Sequence, residues 1–541
     1  MTDASTNQRS GSVLGQAIRA AYRRGEEDET LEPLVKVDRS GAPRGRFSRG
    51  DAVIFYDIRG EREIEITRSL TEPGFPHFRV VDDLGVDFVT LIEYEPSLRV
   101  RVAYPKEEKI KNTLAEVVSR AGLRLAKIAE SEKATHIGFF MNGKNDAVFP
   151  GEERVIVPSP QTIANYDEQP EMSAGEVADE IIKKARDPRF RVVVANFANV
   201  DVVGHIEKKE AVLRAVETVD RELGRVVAEA EKQGATLIVT ADHGTVEEWL
   251  YPDGAVNTGH TKNPVPFVLA DFSERDPFVL RLRDGGELAD VAPTVLDVLG
   301  IAPPPEMTGR SILCAGGRGS QKRTQILLII LDGWGVRDAD AGNLIAQSRT
   351  PNFDALWARF PRALLQSSGE AVGMPAGTVG NSEAGHLHIG AGRRILLDRV
   401  RIDNAIADGT FFSNPSFLEA MGGAKRRGRA LHLMGIVSHY SSHGTIRHLF
   451  ALLQVAKKVG LPEVYIHAFL GRRGEKPESG AIYIEKVEDY CRELGLGEVV
   501  TVIGRYWSLD REENWTRVEK AYRALVHGEG RPVGNFFVRN S

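Results

Sequence analysis

Residues 325–335 read QILLIILDGWG: six consecutive aliphatic residues, Ile326–Leu331, that stop at Asp332 and a Gly-bearing turn. A short, wholly apolar run closed by Asp-Gly predicts a strand buried on both faces of a parallel sheet. The same form recurs as DAVIFYDIR (51–59), HIGFFMNG (136–143), RVVVANFANVD (191–201), ATLIVTADHG (235–244), ALHLMGIVSH (430–439), EVYIHAFLGRR (463–473) and EVVTVIGRY (498–506). Between these runs lie helix-patterned stretches such as residues 208–233. Alternation of this kind predicts an α/β protein built on parallel sheets. Polar residues gather where the runs stop: Asp201, Asp242, His243, Asp332, His443 and Arg505. Open α/β sheets place their ligand crevice at that edge.

The chain has 541 residues, enough for two or three domains, with 42% hydrophobic and 27% charged residues, the balance of a folded soluble protein. A net charge of −6 offers no basic field for nucleic acid or an anionic membrane. No apolar run is long enough to span a bilayer, and the polar start MTDASTNQRSGS has no signal-peptide core. Two cysteines, Cys314 and Cys491, exclude a disulfide framework and a Cys-built zinc site. A cytoplasmic monomer without nucleic-acid or membrane partners is expected. The Gly-rich, basic segment 315–324, AGGRGSQKRT, reads as a linker.

Four segments carry the makings of a cation site. In NVDVVGH, Asp201 and His205 are four apart, so one helical turn brings both to one face. TADHG adds Asp242 and His243, TGHTKNP adds His260, and DGWG adds Asp332. A mixture of carboxylate and imidazole suits Mn²⁺ or Zn²⁺ better than Mg²⁺. Each motif alone is ordinary turn chemistry. The repeated pairing of Asp with His is what points to metal. A fifth segment, TVGNSEAGHLHIGAGR (378–393), sets Ser382 among small residues. Alone, Asn-Ser-Glu is a helix cap; beside two cations, the Ser382 hydroxyl becomes a nucleophile.

Together DGWG, GNSEAGH, ADHG, GHTKNPVPF, NVDVVGH, FPGEERVIVPSP, YDEQPEMSA and EMTGRSI resemble the blocks of the 2,3-bisphosphoglycerate-independent phosphoglycerate mutases, of the alkaline-phosphatase superfamily. The resemblance runs over roughly residues 12–536, in rotated order: the family begins with the DGWG strand, which here arrives only at Asp332. It implies a circularly permuted chain. An alkaline-phosphatase-like parallel-sheet domain would span 108–396, with the linker inside it, and a smaller α/β transferase domain would be made of 1–107 and 397–536. It implies two divalent cations, Mn²⁺ foremost, one held by Asp201, His205 and His260, the other by Asp332, Asp242, His243 and Ser382. It gives Lys133 the transferred phosphoryl group and sets His443 near the phosphoserine. Arg59, Arg62, Arg473, Arg505 and Arg511 would bind a small phosphorylated hydroxy acid, the arginines of DIRGER matching those of the family's Asn-Phe-Arg-Pro-Asp-Arg block. The implied reaction interconverts 2- and 3-phosphoglycerate through a phosphoserine.

Two loops depart from the family. Its Asp-Gly-Arg-Asp is here Gly471, Arg472, Arg473, Gly474, and its Ser-Asp-Gly-Gly-Val-His is Ser438 to His443, SHYSSH. Both changes remove carboxylates from the substrate side, where His439 or Glu475 would be replacements. They leave open a paralogue that moves a phosphoryl or phosphonoformyl-type group to another hydroxy acid, or a phosphatase.

Overall fold

The computed structural model describes residues 12–534 except 82, 107–109, 161–164, 252, 275, 277–279, 315–324, 439–440, 442 and 472–477. The linker 315–324 and the residues His439, Arg473, Gly474 and Glu475 therefore lie outside the described residues. Packing divides the chain into two units, one formed by Met1–Lys106 with Asp398–Ser541, the other by Glu107–Leu397. Among the described residues no helix is long and apolar enough to cross a membrane.

The second unit is an α/β layer structure around one sheet of eight strands. From one edge the order is Gly286–Glu287, Arg362–Gln366, Val265–Asp271, Thr236–Thr240, Ile326–Leu331, Phe190–Phe197, Arg124–Glu130 and Glu152–Val157. Ile326–Leu331 pairs parallel with both neighbours, Leu327 opposite Val193 on one side and Leu237 on the other. Every residue of that strand is fully shielded from solvent, as its unbroken apolar run requires. Thr236–Thr240 pairs antiparallel with Val265–Asp271, which in turn is antiparallel to Arg362–Gln366. The long helix Lys209–Gln233 lays its apolar stripe, including Val212, Val216, Val219, Leu223 and Val226, into the core and ends on left-handed Gly234.

The segment HIGFFMNG corrects a reading: it is not a strand. His136–Phe140 forms one wide helical turn in which Met141 N donates to His136 O at 3.0 Å. A short apolar run fits either state, and tertiary packing against the helix Ser382–Ala391 decides it.

The first unit holds its own eight-stranded sheet, ordered Arg531–Val533, Leu34–Lys36, Glu498–Gly504, Val464–Leu470, Leu431–Ile436, Ala52–Phe55, Asp87–Ile92 and Arg101–Tyr104. All pairings except Leu34–Lys36 with Glu498–Gly504 are parallel. Strands from the N-terminal and C-terminal parts of the chain share this sheet, with Leu34–Lys36 lying between Arg531–Val533 and Glu498–Gly504.

Candidate metal and phosphoryl-transfer centre

Four parallel strands of the second unit deliver the functional groups at their carboxyl ends. Arg124–Glu130 leads to Lys133, Phe190–Phe197 to Asp201, Thr236–Thr240 to Asp242 and His243, and Ile326–Leu331 to Asp332. Asp201 lies in the short helix Asn199–Gly204, and His205 caps its end. One turn brings Asp201 Oδ1 and His205 Nε2 to 3.2 Å; His260 Nε2 is 3.2 Å from the same oxygen and 3.3 Å from His205 Nε2. The outer nitrogens face carbonyls, His205 Nδ1 to Thr258 O at 2.6 Å and His260 Nδ1 to Gly380 O at 2.8 Å. Each Nδ1 therefore carries the proton, and two Nε2 lone pairs confront each other and a carboxylate. A divalent cation, or protons taken up by those nitrogens, relieves that arrangement. Donor atoms at these separations would fit around one small divalent cation.

The second group is deeper. Asp201, His243 and Asp332 converge, as do Asp242, Asp332 and His386, each set with ligand atoms within 4.8 Å of one another. Asp201 Oδ1 and Asp242 Oδ2 are buried without a hydrogen bond among the described residues. Orphaned carboxylate oxygens amid imidazoles fit a divalent cation by charge and by donor type.

Ser382 is the first residue of the helix Ser382–Ala391, which Asn381 caps by accepting from Ala384 N at 2.8 Å. Its Oγ is 2.8 Å from Lys133 Nζ, 3.0 Å from His243 Nε2 and 3.3 Å from Asp332 Oδ1. Lys133 Nζ also donates to Asp201 at 2.6 Å and Asp332 at 2.9 Å. Burial works against the ammonium, but Asp332, Asp201 and Asp242 outweigh it and hold its pKa above the ordinary value. Burial also opposes ionisation of Asp201 and Asp242; Lys133 beside the first, and His243 and His386 beside the second, keep both below the usual carboxylate range. Burial and Asp242 push Asp332 the other way, making it the most easily protonated of the three. Three carboxylates around one ammonium leave net negative charge in a dry place.

Glycines let these pieces close. A Cβ on Gly333, which has φ +81°, would stand 2.8 Å from Asp201 N, so DGWG needs glycine for both conformation and space. A Cβ on Gly385 would lie 2.6 Å from Asp242 Cβ. Alanine there gains about 0.5–1 kcal/mol in helix propensity but forces an overpacking cost of about 1–3 kcal/mol. Gly385→Ala should therefore lower stability and displace Asp242, measured as a lower melting temperature and weaker Mn²⁺ binding; a variant as stable as the parent would mean the contact relaxes.

His386 was not foreseen. Its Nε2 meets Asn196 Nδ2 at 3.0 Å, Asn196 donates to Asp332 Oδ2 at 2.7 Å, and His386 Nδ1 lies 3.3 Å from Asp242 Oδ2. The signal was available: His386 follows Ser382 by four, one helical turn.

In the first unit Arg59, Arg62, Arg505 and Arg511 gather where the strands Ala52–Phe55 and Glu498–Gly504 end. Arg59 and Arg511 share Glu61, at 2.7 and 3.0 Å, Arg62 donates to Leu509 O at 3.1 Å, and Arg505 reaches Glu29 at 3.1 Å. Partial burial, then the charges of Arg511 and Arg505, lower the Arg62 pKa. Cations crowded in this way suit a carboxylate or phosphate. His443 is buried in the same unit with Nδ1 2.6 Å from Glu63 Oε1.

A family model described as the metalloenzyme superfamily matches residues 7–303, more than half of the chain. The chain belongs to the metalloenzyme superfamily. A second model, the N-terminus of BPG-independent PGAM, matches residues 402–537 of this metalloenzyme-superfamily chain. Its relatives include the 2,3-bisphosphoglycerate-independent phosphoglycerate mutases of Moorella thermoacetica, 43% identical over 306 residues, and Thermomicrobium roseum, 44% identical over 310 residues. Each alignment takes in 56% of this chain and 58% of the relative, so the chain spans little more than half the length of the curated relatives it matches. A crystal structure of Leishmania mexicana phosphoglycerate mutase at low cobalt concentration is 26% identical over 51% of this chain and 53% of that one, with a TM-score of 0.36.

Proposed function

We propose that the chain is a metal-dependent phosphotransferase that carries a phosphoryl group on Ser382 and interconverts 2-phosphoglycerate and 3-phosphoglycerate. The observation that carries this reading is the Ser382 hydroxyl, at a helix N-terminus with Lys133 at 2.8 Å and His243 at 3.0 Å. The relatives named as mutases support the substrate class. Asp201, His205 and His260 would hold one cation, and Asp242, His243, Asp332 and Ser382 the other. Bound there, divalent cations, Mn²⁺ by the donor set, lower the pKa of the hydroxyl and neutralise charge on the transferring group. Lys133 neutralises one further unit of that charge, and the amide dipoles of the helix start favour the phosphorylated serine. Arg59, Arg62, Arg505 and Arg511, joined by Arg473, orient the carboxylate and phosphate of the substrate.

We read the order of the chain as a circular permutation. The segment matched by a model named for the mutase N-terminus follows the superfamily match. Asp332 sits on a strand that comes later in the chain than both of its sheet neighbours. On this reading 1–107 and 397–536 form the transferase domain, and 108–396 form a phosphatase-like domain.

One observation favours a second reading, in which the acceptor is a different hydroxy acid. Gly471 has φ +109°, and a Cβ there would stand 2.7 Å from Glu29 Cα, so this loop has no room to regain a carboxylate at that position. Both readings are tested by incubating the Mn²⁺-loaded protein with each phosphoglycerate and following ³¹P NMR. Isomerisation is expected. Release of inorganic phosphate would make it a phosphatase, and unchanged spectra with both isomers would remove the mutase reading.

A further inference from the structure

The first unit contains a buried cluster in which two carboxyl groups as yet without a role surround His443: Asp57, Glu63 and His443 are exposed by 0%, 0% and 1%, with ligand atoms within 4.8 Å of one another. Asp57 follows the strand Ala52–Phe55, Glu63 caps the helix Ile64–Thr71, and His443 lies between the strand Leu431–Ile436 and the helix Ile446–Val459. All three stand at the strand end where Arg59, Arg62 and Arg505 gather. A second buried imidazole–carboxylate pair, His432 with Asp51, sits at the opposite, amino end of its strands.

Geometry separates this cluster from the candidate cation centre. His443 Nδ1 and Glu63 Oε1 are 2.6 Å apart, whereas donor atoms of the Asp201 group are separated by 3.2–3.3 Å. The short contact is that of a direct hydrogen bond; two ligands of one small ion stand farther apart. The pair is built in firmly. Ile58 N donates to His443 O at 2.6 Å, and Tyr94 Oη donates to Asp57 O at 2.7 Å. Ile436 N donates to Asp57 Oδ1 at 2.8 Å, and Gly435 leaves the space for that carboxyl, since a Cβ on it would lie 2.6 Å from Asp57 Oδ1. Burial, and then the neighbouring Glu63, raise the Asp57 carboxyl well above the usual range. Asp57 stands where the resembled arginine block has Asn.

Arginines bind an anionic hydroxy acid but cannot accept its proton, and moving a phosphoryl group onto a hydroxyl requires a proton acceptor. Building on the phosphoryl-transfer reading, we propose that Glu63 is a positioning residue that fixes the His443 ring with its proton on Nδ1, which makes Nε2 the atom that exchanges a proton with the hydroxyl of the bound hydroxy acid. In the forward step the O–H bond breaks and its proton passes to Nε2. The freed oxygen forms the new O–P bond as the P–O bond to Ser382 breaks, and the electron pair leaves on the serine oxygen. The reverse step returns the proton. The arrangement follows the logic of an Asp–His pair, in which the carboxylate sets the tautomer and takes no proton itself. The depth of His443 is no obstacle peculiar to it: Ser382 and Lys133 are exposed by only 6% and 3%.

The test has two arms on the full chain. In ¹⁵N-histidine NMR of the cation-free protein, the ring assigned to His443 by its loss in His443→Gln should carry its proton on Nδ1. A proton on Nε2 would overturn the proposal. In ³¹P-monitored turnover, Glu63→Gln should lower kcat by about 10²- to 10⁴-fold, because the amide permits the wrong tautomer. KM should stay within about threefold, since the arginines are untouched. Unchanged kcat in a folded Glu63→Gln protein would also overturn it. A wild type without turnover removes the mutase reading, and the NMR arm then decides the pair by itself.

Discussion

Ser382→Ala is expected to abolish phosphoryl transfer, lowering kcat by at least about 10⁴-fold, because it removes the atom that forms the covalent bond rather than a group that assists it. The fold should survive. Alanine suits the first turn of a helix, Asn381 keeps its cap on Ala384 N, and Lys133 retains Asp201 and Asp332 as partners. The variant should still bind Mn²⁺ through the carboxylates and imidazoles, so loss of turnover with cation binding retained identifies a nucleophile. Tryptic peptides covering residue 382 should carry phosphate after incubation of the wild type with 3-phosphoglycerate and none in the variant. Phosphate on another residue of the variant would overturn the assignment.

What could be read from the sequence depended on whether a residue's environment was written next to it. The strand Ile326–Leu331 was legible because both its faces are buried and every position says so. The strand Arg124–Glu130 was not. Lys127 interrupts its apolar run, yet is fully buried because Glu152, on the neighbouring strand, lies 3.4 Å away and Asn142 Oδ1 accepts a hydrogen bond from its ammonium. Nothing within the segment announces those partners. His136–Phe140 failed for the opposite reason, an apolar run without a period long enough to separate helix from strand. At the candidate cation centre, Asp201 stands in a short helix that follows a strand, His205 at the end of that helix, and Asp242, His243, His260 and Asp332 in loops, and the structure brings them together with Ser382 and Lys133. Asp57 and Glu63 escaped notice because a carboxylate within DIRGERE looks solvated; only the burial of the loop around His443 reveals otherwise.

Removing divalent cations should cost both activity and stability. Without them, Asp201, Asp242 and Asp332 are buried around the single ammonium of Lys133, and two histidine lone pairs face each other at 3.3 Å. A cation at a thousand times its dissociation constant stabilises the folded state by about 4 kcal/mol. For a unit of this size each kcal/mol moves the melting temperature by roughly 2 °C, so one site alone predicts a rise of roughly 8 °C on adding Mn²⁺. Mn²⁺ should restore both melting temperature and turnover better than Mg²⁺, which accepts imidazole poorly. The sign of the pH effect follows from competition with protons. The hydrogen bond to Asp201 raises the pKa of His205, and Asp201 raises that of His260 against the effect of burial, so in the cation-free protein both rings hold protons more tightly than ordinary histidines. A cation must displace those protons, so its affinity falls as pH falls, and the Mn²⁺-induced rise in melting temperature should be smaller at pH 6 than at pH 8. Differential scanning calorimetry with and without chelator at the two pH values measures it. Full activity of the chelated protein, or a melting temperature indifferent to Mn²⁺ at both pH values, would mean that the three carboxylates are neutralised by protons and Lys133 alone.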